Sequence, residues 1–491
     1  MMRSILTSLL IVVMLFSAAL SQGDLDSLYF NTRFTQIVKK CDSLKYENLN
    51  TDQKLLYFES QARTAKGHKA IPGILKMLSK YPHQSRILTT AAIIFHSVGE
   101  LDQANNYVNQ ALKFDGSNYK VYLTKALLLC DKHKHEQALE YLDKAKEYYP
   151  ENRYSKLFNQ ASVKIGKAAQ NSTYLYNYYI NLQKNTSKNK ESIKNKVEIY
   201  KKLKDEELFH VQTDQDKVVV PMVNFKNSKY KCLVFRHNGK DYNILLDTGN
   251  SPGWTLHEPA LQEKLVSQKG NRGSIQTGSV QGKLKSYGLV TDNLDFGSFK
   301  IKNLTGKYFK KPRKRYFDGN INPYFIENRV VTMDFINNKF ILRTKEKFDR
   351  YLETRDNYKI TDLKVYGAFW PFVKVNVNGY APGLAMIETG AEDLSVKYEY
   401  AKKINLNLKP AVKTWHGKEY KFHETQGLFV RAGNHHLIRE KSEVWPVRFN
   451  DDLTGLYDSI MIGPYALNGK YILSFDPFEN RVILESPYRT K

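Results

Sequence analysis

Up to about residue 209, apolar positions recur at intervals of three and four. Beyond it they fall in short β-branched runs such as Val218-Val219-Val220 and Cys232-Leu233-Val234-Phe235, so the pattern predicts a helical region followed by a strand-rich one. Within the helical region, Leu101 to Phe114 and His135 to Tyr149 carry small residues where a neighbouring helix must come close, and each is followed by a helix-stopping Pro or Gly. Ser85 to Val98, Val121 to Asp131 and the Tyr-rich stretch Tyr174 to Leu182 extend the same spacing. From Asn185 to Glu207 the chain is strongly basic and lacks Gly and Pro, while Ile193, Val197, Tyr200 and Leu203 keep a helical stripe. This predicts a linking helix before the change of texture.

The helical segments repeat. Ala70, Ala104 and Ala138 stand 34 residues apart, and Tyr107/Tyr141, Ala111/Ala145 and Pro82/Gly116/Pro150 follow at that interval. A 34-residue helix-turn-helix period resembles the tetratricopeptide repeats, most clearly over residues 50 to 150. The resemblance implies a helical solenoid that holds a partner protein or peptide, or one that braces the next domain.

The strand-rich region is written twice. Cys232-Leu-Val-Phe-Arg-His-Asn-Gly-Lys-Asp-Tyr-Asn-Ile-Leu-Leu-Asp247-Thr248-Gly249 is answered by Phe372-Val-Lys-Val-Asn-Val-Asn-Gly-Tyr-Ala-Pro-Gly-Leu-Ala-Met-Ile-Glu388-Thr389-Gly390. Each reads as strand, Asn-Gly turn, strand, then acid-Thr-Gly, with Asn-Gly supplying the positive φ angles of a tight hairpin. The copies also close alike, on Thr332-Met-Asp-Phe-Ile-Asn-Asn338-Lys-Phe-Ile-Leu and Ser474-Phe-Asp-Pro-Phe-Glu-Asn480-Arg-Val-Ile-Leu. Asn338 lies 91 residues after Asp247, and Asn480 lies 92 after Glu388.

An apolar pair running into acid-Thr-Gly, once in each of two related halves, resembles the pepsin-like and retropepsin-like aspartic proteases. Ile275-Gln-Thr277-Gly278-Ser279-Val-Gln-Gly282-Lys-Leu is similar to the flap hairpin of the pepsin-like enzymes, and Ile460-Met461-Ile462-Gly463 to the apolar element beside their second active-site loop. The resemblance covers residues 215 to 491 and implies a multidomain chain in which all-α tetratricopeptide-like repeats precede an all-β, two-lobed aspartic-protease-like domain. The expected organisation is a leader over 1–21, helical repeats over 22–184, a linking helix over 185–209, a first lobe over 210–345, a connection over 346–357 and a second lobe over 358–491. It further implies peptide-bond hydrolysis by Asp247 and Glu388 sharing one proton around a water molecule, without cofactor or metal. Thr248 and Thr389 would cross-brace the two loops, Gly249 and Gly390 would permit tight backbone turns, and Ile275, Thr277, Gly278 and Ser279 would cover the cleft. An acidic optimum goes with such a pair, because two close carboxyl groups cannot both ionise cheaply.

Three positions depart from that pattern. Glu388 stands where the family has Asp, and an additional methylene displaces a carboxyl by about 1 Å unless the loop retreats, enough to slow a reaction roughly 100-fold. Asn322, after Asp318-Gly319-Asn320-Ile321, replaces a glycine, which predicts altered packing beside Asp247. Ile275 takes the place of a flap tyrosine. These motivate an alternative, a catalytically inactive protease fold that binds peptide or serves structurally. Glu392 and Asp393 are further acids near the second motif: one of them pairing with Asp247 competes with a reading of Asp393 as a helix-capping residue.

Composition narrows the class. With 491 residues, 42% of them hydrophobic, the chain has material for several cores. Its formal net charge of +25 is spread along the sequence, densest at Lys310-Lys311-Pro312-Arg313-Lys314-Arg315. No nucleic-acid motif accompanies it, so a solvated basic surface is expected and not a nucleic-acid site. Cys41, Cys130 and Cys232 are too scattered for a disulfide framework or a zinc site and read as buried thiols. His416, His423, His435 and His436 lack metal-ligand spacing and read as solvent-exposed. Arg3, the apolar run from Ile5 to Phe16 and Ala19-Leu20-Ser21 form a secretory-type leader, too short for a bilayer span. Export to a periplasmic or secreted location is the expectation, with protein or peptide as substrate, a possible protein partner on the repeats and no stable membrane span once the leader is cleaved.

Overall fold

The computed structural model describes residues 22–44, 46–149, 155–185, 190–226, 228–237, 239–250, 253–257, 268–277, 280–308, 317–380, 383–391, 393–415, 418–445, 453–456 and 459–487. The leader, the basic cluster at 310–315 and His416 lie outside them. Helices run to Lys202 and strands begin at His210, so a helical region precedes a β-rich one. The described residues fall into two compact units: those of 22–129, 134–165 and 453–456 form one, and those of 130–133, 166–445 and 459–487 form the other.

In the helical unit, helices Gly67–Lys80, Leu101–Phe114 and His135–Glu147 carry Ala70, Ala104, Ala111, Ala138 and Ala145, all fully buried. Removing the bulk at these points lets helix backbones approach. A second 34-residue series emerges in the turns: Ala65, Gly99 and His133 have φ of 58°, 82° and 57°. Helix Ser85–Ser97 ends through Gly99, with Gly99 N donating to His96 O at 3.0 Å and Glu100 N to Phe95 O at 2.9 Å, which takes up its last carbonyls. Among the described residues no helix is long and apolar enough to cross a membrane. The three cysteines are buried and none is in a disulfide, as their scatter predicts.

Helices Ser172–Asn185 and Lys190–Lys202 group with the β-rich unit. The stripe Ile193, Val197, Tyr200 and Leu203 is buried, and Ile199 Cδ1 packs toward Gly288 of a β-strand. The described strands form three sheets. The first is ordered Val223–Asn224, Lys231–His237, Lys240–Leu246, Gly319–Ile321, Trp254–Leu256, Lys300–Tyr308, Val280–Asp295, Gln268–Thr277, with His210–Gln212 added on Lys300–Tyr308. The second is ordered Phe372–Val377, Gly383–Ile387, Ile460–Ile462, Ser395–Lys397, His435–Trp445, Lys418–Ala432, Lys409–Trp415.

All seven places correspond when counting starts from the hairpins Lys231–Leu246 and Phe372–Ile387. In both sheets a later strand (Gly319–Ile321, Ile460–Ile462) runs parallel to the hairpin's second strand and antiparallel to the strand after the acid motif. The hairpin turns have the positive φ that Asn-Gly predicts, 47° and 78° at Asn378 and Gly379 and 75° at Gly239. A third sheet joins the halves, because Val330–Asp334 pairs antiparallel with Ile472–Asp476 and Thr332 Oγ1 lies 2.8 Å from Ser474 Oγ. Asn338 and Asn480, in the matching closing turns, have φ of 54° and 51°. One apolar core runs through both halves and includes Leu233, Ile244, Leu246, Val373, Ala385, Ile387 and Phe475.

Candidate active site

Each acid motif follows a buried strand and is anchored alike: Asp247 N donates to Ile321 O and Glu388 N to Ile462 O, both at 2.9 Å. The two loops are then tied reciprocally. Thr248 Oγ1 donates to Ile387 O at 2.6 Å and accepts from Thr389 N at 3.0 Å; Thr389 Oγ1 donates to Leu246 O at 2.8 Å and accepts from Thr248 N at 3.1 Å. Both threonines are fully buried, so each hydroxyl satisfies two backbone groups of the opposite loop that water does not reach.

The acids reach across the same axis. A methyl placed on Gly390 would stand 2.3 Å from Asp247 Cγ, and one placed on Gly249 would stand 2.5 Å from the carboxyl carbon of Glu388. The two carboxyl groups thus lie against the opposite motif's glycine in equivalent ways, despite the longer Glu388 side chain. Gly249 meets both acids, since its N–H donates to Asp247 Oδ1 at 3.0 Å. The predicted reason for these glycines needs correcting: neither has the left-handed φ of a tight turn, and each is small because the opposite carboxyl occupies the space a side chain would take.

Asp247 accepts a second hydrogen bond on Oδ2, from Asn320 Nδ2 at 2.6 Å. Burial pushes its carboxyl above the usual range, while the Asn320 amide and the backbone amides of Gly249 and Asn250 pull it back. Glu388 is buried, with 8% of its surface exposed. Trp370 Nε1 donates to Gly249 O at 3.2 Å, which adds the start of the second half's first hairpin to the loop's supports. Neither Asn320 nor Trp370 was among the residues predicted for the site. Asn320 carried a signal, a polar residue at the place held by Met461 in the other copy; Trp370 carried none.

Asn322 does not open the packing beside Asp247. Its side chain is buried and turned to use, Nδ2 donating to Thr248 O at 3.0 Å and Oδ1 accepting from Tyr324 N at 2.9 Å. Asp393 belongs neither to the acid pair nor to a helix cap. It precedes strand Ser395–Lys397, and its carboxylate pairs with Arg439. Glu392 lies outside the described residues. Ile275 and Thr277 are on strand Gln268–Thr277, opposite Leu284 and Val280 in a hairpin with Val280–Asp295; Gly278 and Ser279, at its tip, lie outside the described residues. His435 and His436 point opposite ways, and the expectation of exposure fails for His435. It is 2% exposed, its Nε2 lies 2.8 Å from Leu484 O, and burial lowers its pKa to about 4. Among the described residues no group of His, Cys, Asp and Glu is placed to hold a metal ion.

No protein-family model and no curated protein matches this chain. Among solved structures it is similar to Basic 7S globulin from soybean, at 10% sequence identity over 56% of this chain and 97% of that one, with a TM-score of 0.31.

Proposed function

We propose that the β-rich region is a two-lobed aspartic-protease-like domain that hydrolyses peptide bonds with Asp247 and Glu388, in an exported protein whose tetratricopeptide-like helices engage a protein substrate or partner. The observation that carries this reading is the reciprocal placement of the two carboxyl groups on each other's glycine, held by the paired threonine bonds. In the reaction one acid is ionised and takes a proton from a water molecule, whose oxygen attacks the scissile carbonyl carbon. The other, protonated, donates a hydrogen bond to the carbonyl oxygen as it gains charge. Breakdown of the tetrahedral intermediate breaks the C–N bond as a proton passes to the leaving amine. Only the singly protonated pair can do this, so activity belongs to acidic solution.

The test is cleavage of an unfolded protein by the purified full chain across acidic pH, with Asp247→Asn as control. Loss of cleavage by about 100-fold or more in the variant is expected. Absence of cleavage by the parent, or equal cleavage by the variant, would sink the proposal. Glu388→Asp separates a site built around Glu, which loses rate on shortening, from a decayed one, which gains it.

A further inference from the structure

The two acids sit in matched loops with unmatched neighbours. Asn320 lies opposite Leu245 and Met461 opposite Met386, each in a strand parallel to the one that leads into the acid. They therefore hold equivalent places, one residue before the carbonyl that accepts the acid's own N–H. Asn320 offers an N–H to Asp247; a thioether such as that of Met461 has no proton to give.

Asn320 is held for this contact. Side chains alternate along the short strand Gly319–Ile321, so Ile321 enters the core while Asn320 faces the loop. Asn250 fixes the strand from the other side, its Nδ2 donating to Asn320 O at 3.2 Å while its Oδ1 accepts from Thr255 Oγ1 at 2.8 Å. Asn320 is 8% exposed, and its own Oδ1 meets no donor among the described residues. A buried acceptor left unmet is costly, and an apolar side chain like that of Met461 would fill the place without that cost. The bond to Asp247 is what distinguishes the amide.

On the reading of Asp247 and Glu388 as a proton-sharing pair, we propose that Asn320 is a positioning residue that assigns the negative charge to Asp247 and leaves the shared proton on Glu388. A neutral donor favours a carboxylate over its acid, so the lobe that supplies the donor carries the charge. Asp247 is then the group that takes the proton from water, and Glu388 the one that bonds the substrate carbonyl. Asp318, Asp393 and His257, on described residues that flank the two loops, have partners elsewhere. Asp318 Oδ2 accepts from Asn243 N at 2.7 Å, Asp393 pairs with Arg439, and the His257 ring lies 5.6 Å from that of Phe317.

The experiment follows the charge directly. The full chain is labelled with aspartate carrying 13C in the carboxyl, the Asp247 signal is assigned by its absence from Asp247→Asn, and its midpoint is measured against pH. Asn320→Leu removes the donor at similar volume, with Asn320→Ala as the second variant should leucine prevent folding, which circular dichroism checks. The Asp247 midpoint is expected to rise by about 1–2 pH units, the acidic limb of the cleavage profile moving with it, while Met461→Leu leaves both in place. An unchanged midpoint in the Asn320 variant, or an equal shift from Met461→Leu, overturns the proposal. A shifted midpoint in a parent that cleaves nothing retains the hold of Asn320 on the charge and instead removes the peptidase reading.

Discussion

Replacing either threonine of the brace by valine keeps the shape and removes one hydroxyl. In Thr248→Val, Ile387 O loses a donor at 2.6 Å and Thr389 N loses an acceptor at 3.0 Å; in Thr389→Val, Leu246 O and Thr248 N lose partners at 2.8 and 3.1 Å. Every one of these groups is shut away from water, and a buried polar group left unmet costs about 1–3 kcal/mol. Two such groups per variant give about 2–6 kcal/mol, and the near-identity of the two bond sets predicts equal losses, within about 0.5 kcal/mol. The assay is denaturant unfolding followed by tryptophan fluorescence, which reports on the β-rich region alone because all four tryptophans, Trp254, Trp370, Trp415 and Trp445, lie there. The midpoint should fall at constant slope, the mark of a change in stability without a change in the surface exposed. A loss below about 1 kcal/mol in either variant, or a large asymmetry between them, would mean that the reciprocal bonds do not join the halves.

Other consequences follow from the same geometry. Gly390→Ala would set a methyl 2.2 Å from Asp247 Oδ1, so the carboxyl must move; cleavage of unfolded protein should fall about 100-fold while the circular dichroism spectrum is kept. His435 is neutral in the folded chain down to about pH 4 but takes a proton near 6.5 when unfolded. The unfolded form binds the additional proton, so stability falls as pH drops from about 6.5 to 4, by up to about 3 kcal/mol; His435→Gln should flatten that slope in unfolding midpoints. Glu485 is fully buried and takes bonds from Arg355 Nε at 2.8 Å and Tyr351 OH at 3.0 Å. Arg355→Ala strands that carboxylate and should cost about 3–5 kcal/mol by denaturant unfolding, a loss that Glu485→Gln in the same chain should partly restore.

The helical spacing and the doubled motif were legible because each rests on residue types with one physical use. Ala70, Ala104 and Ala138 are small because helices touch there, and all three are fully buried. Asn378-Gly379 marks a hairpin because few other pairs accept positive φ at two successive positions. The turn series Ala65, Gly99 and His133 was hidden for the converse reason: tertiary packing holds left-handed φ on three different residue types, and only Gly99 advertises it. His435 illustrates a local limit. Alternation states that one of His435 and His436 faces inward, but the partner that makes an inward histidine tolerable, the carbonyl of Leu484, comes from 49 positions away in the chain.

The departures at Glu388 and Asn322 change meaning once the loops are compared as volumes. Side-chain length alone predicts a displaced carboxyl at Glu388, yet both acids are anchored by the same 2.9 Å backbone bond and bring their carboxyl carbons to within 2.3 and 2.5 Å of equivalent points. The additional methylene is therefore absorbed along the path of the side chain. Glycine likewise has different value in the two lobes. At Gly463 a methyl would meet the backbone of Asp393 at 2.9 Å and of Ala391 at 3.0 Å, so nothing larger fits, whereas the first loop has room for Asn322 and uses its amide to hold Thr248 O. With Asn320 facing Asp247 where Met461 stands in the other copy, the polar side chains have collected on one side of the axis and the longer acid on the other. That division is what a pair needs if one member is to keep the charge and the other the proton, and a symmetric pair of aspartates has to obtain it by other means.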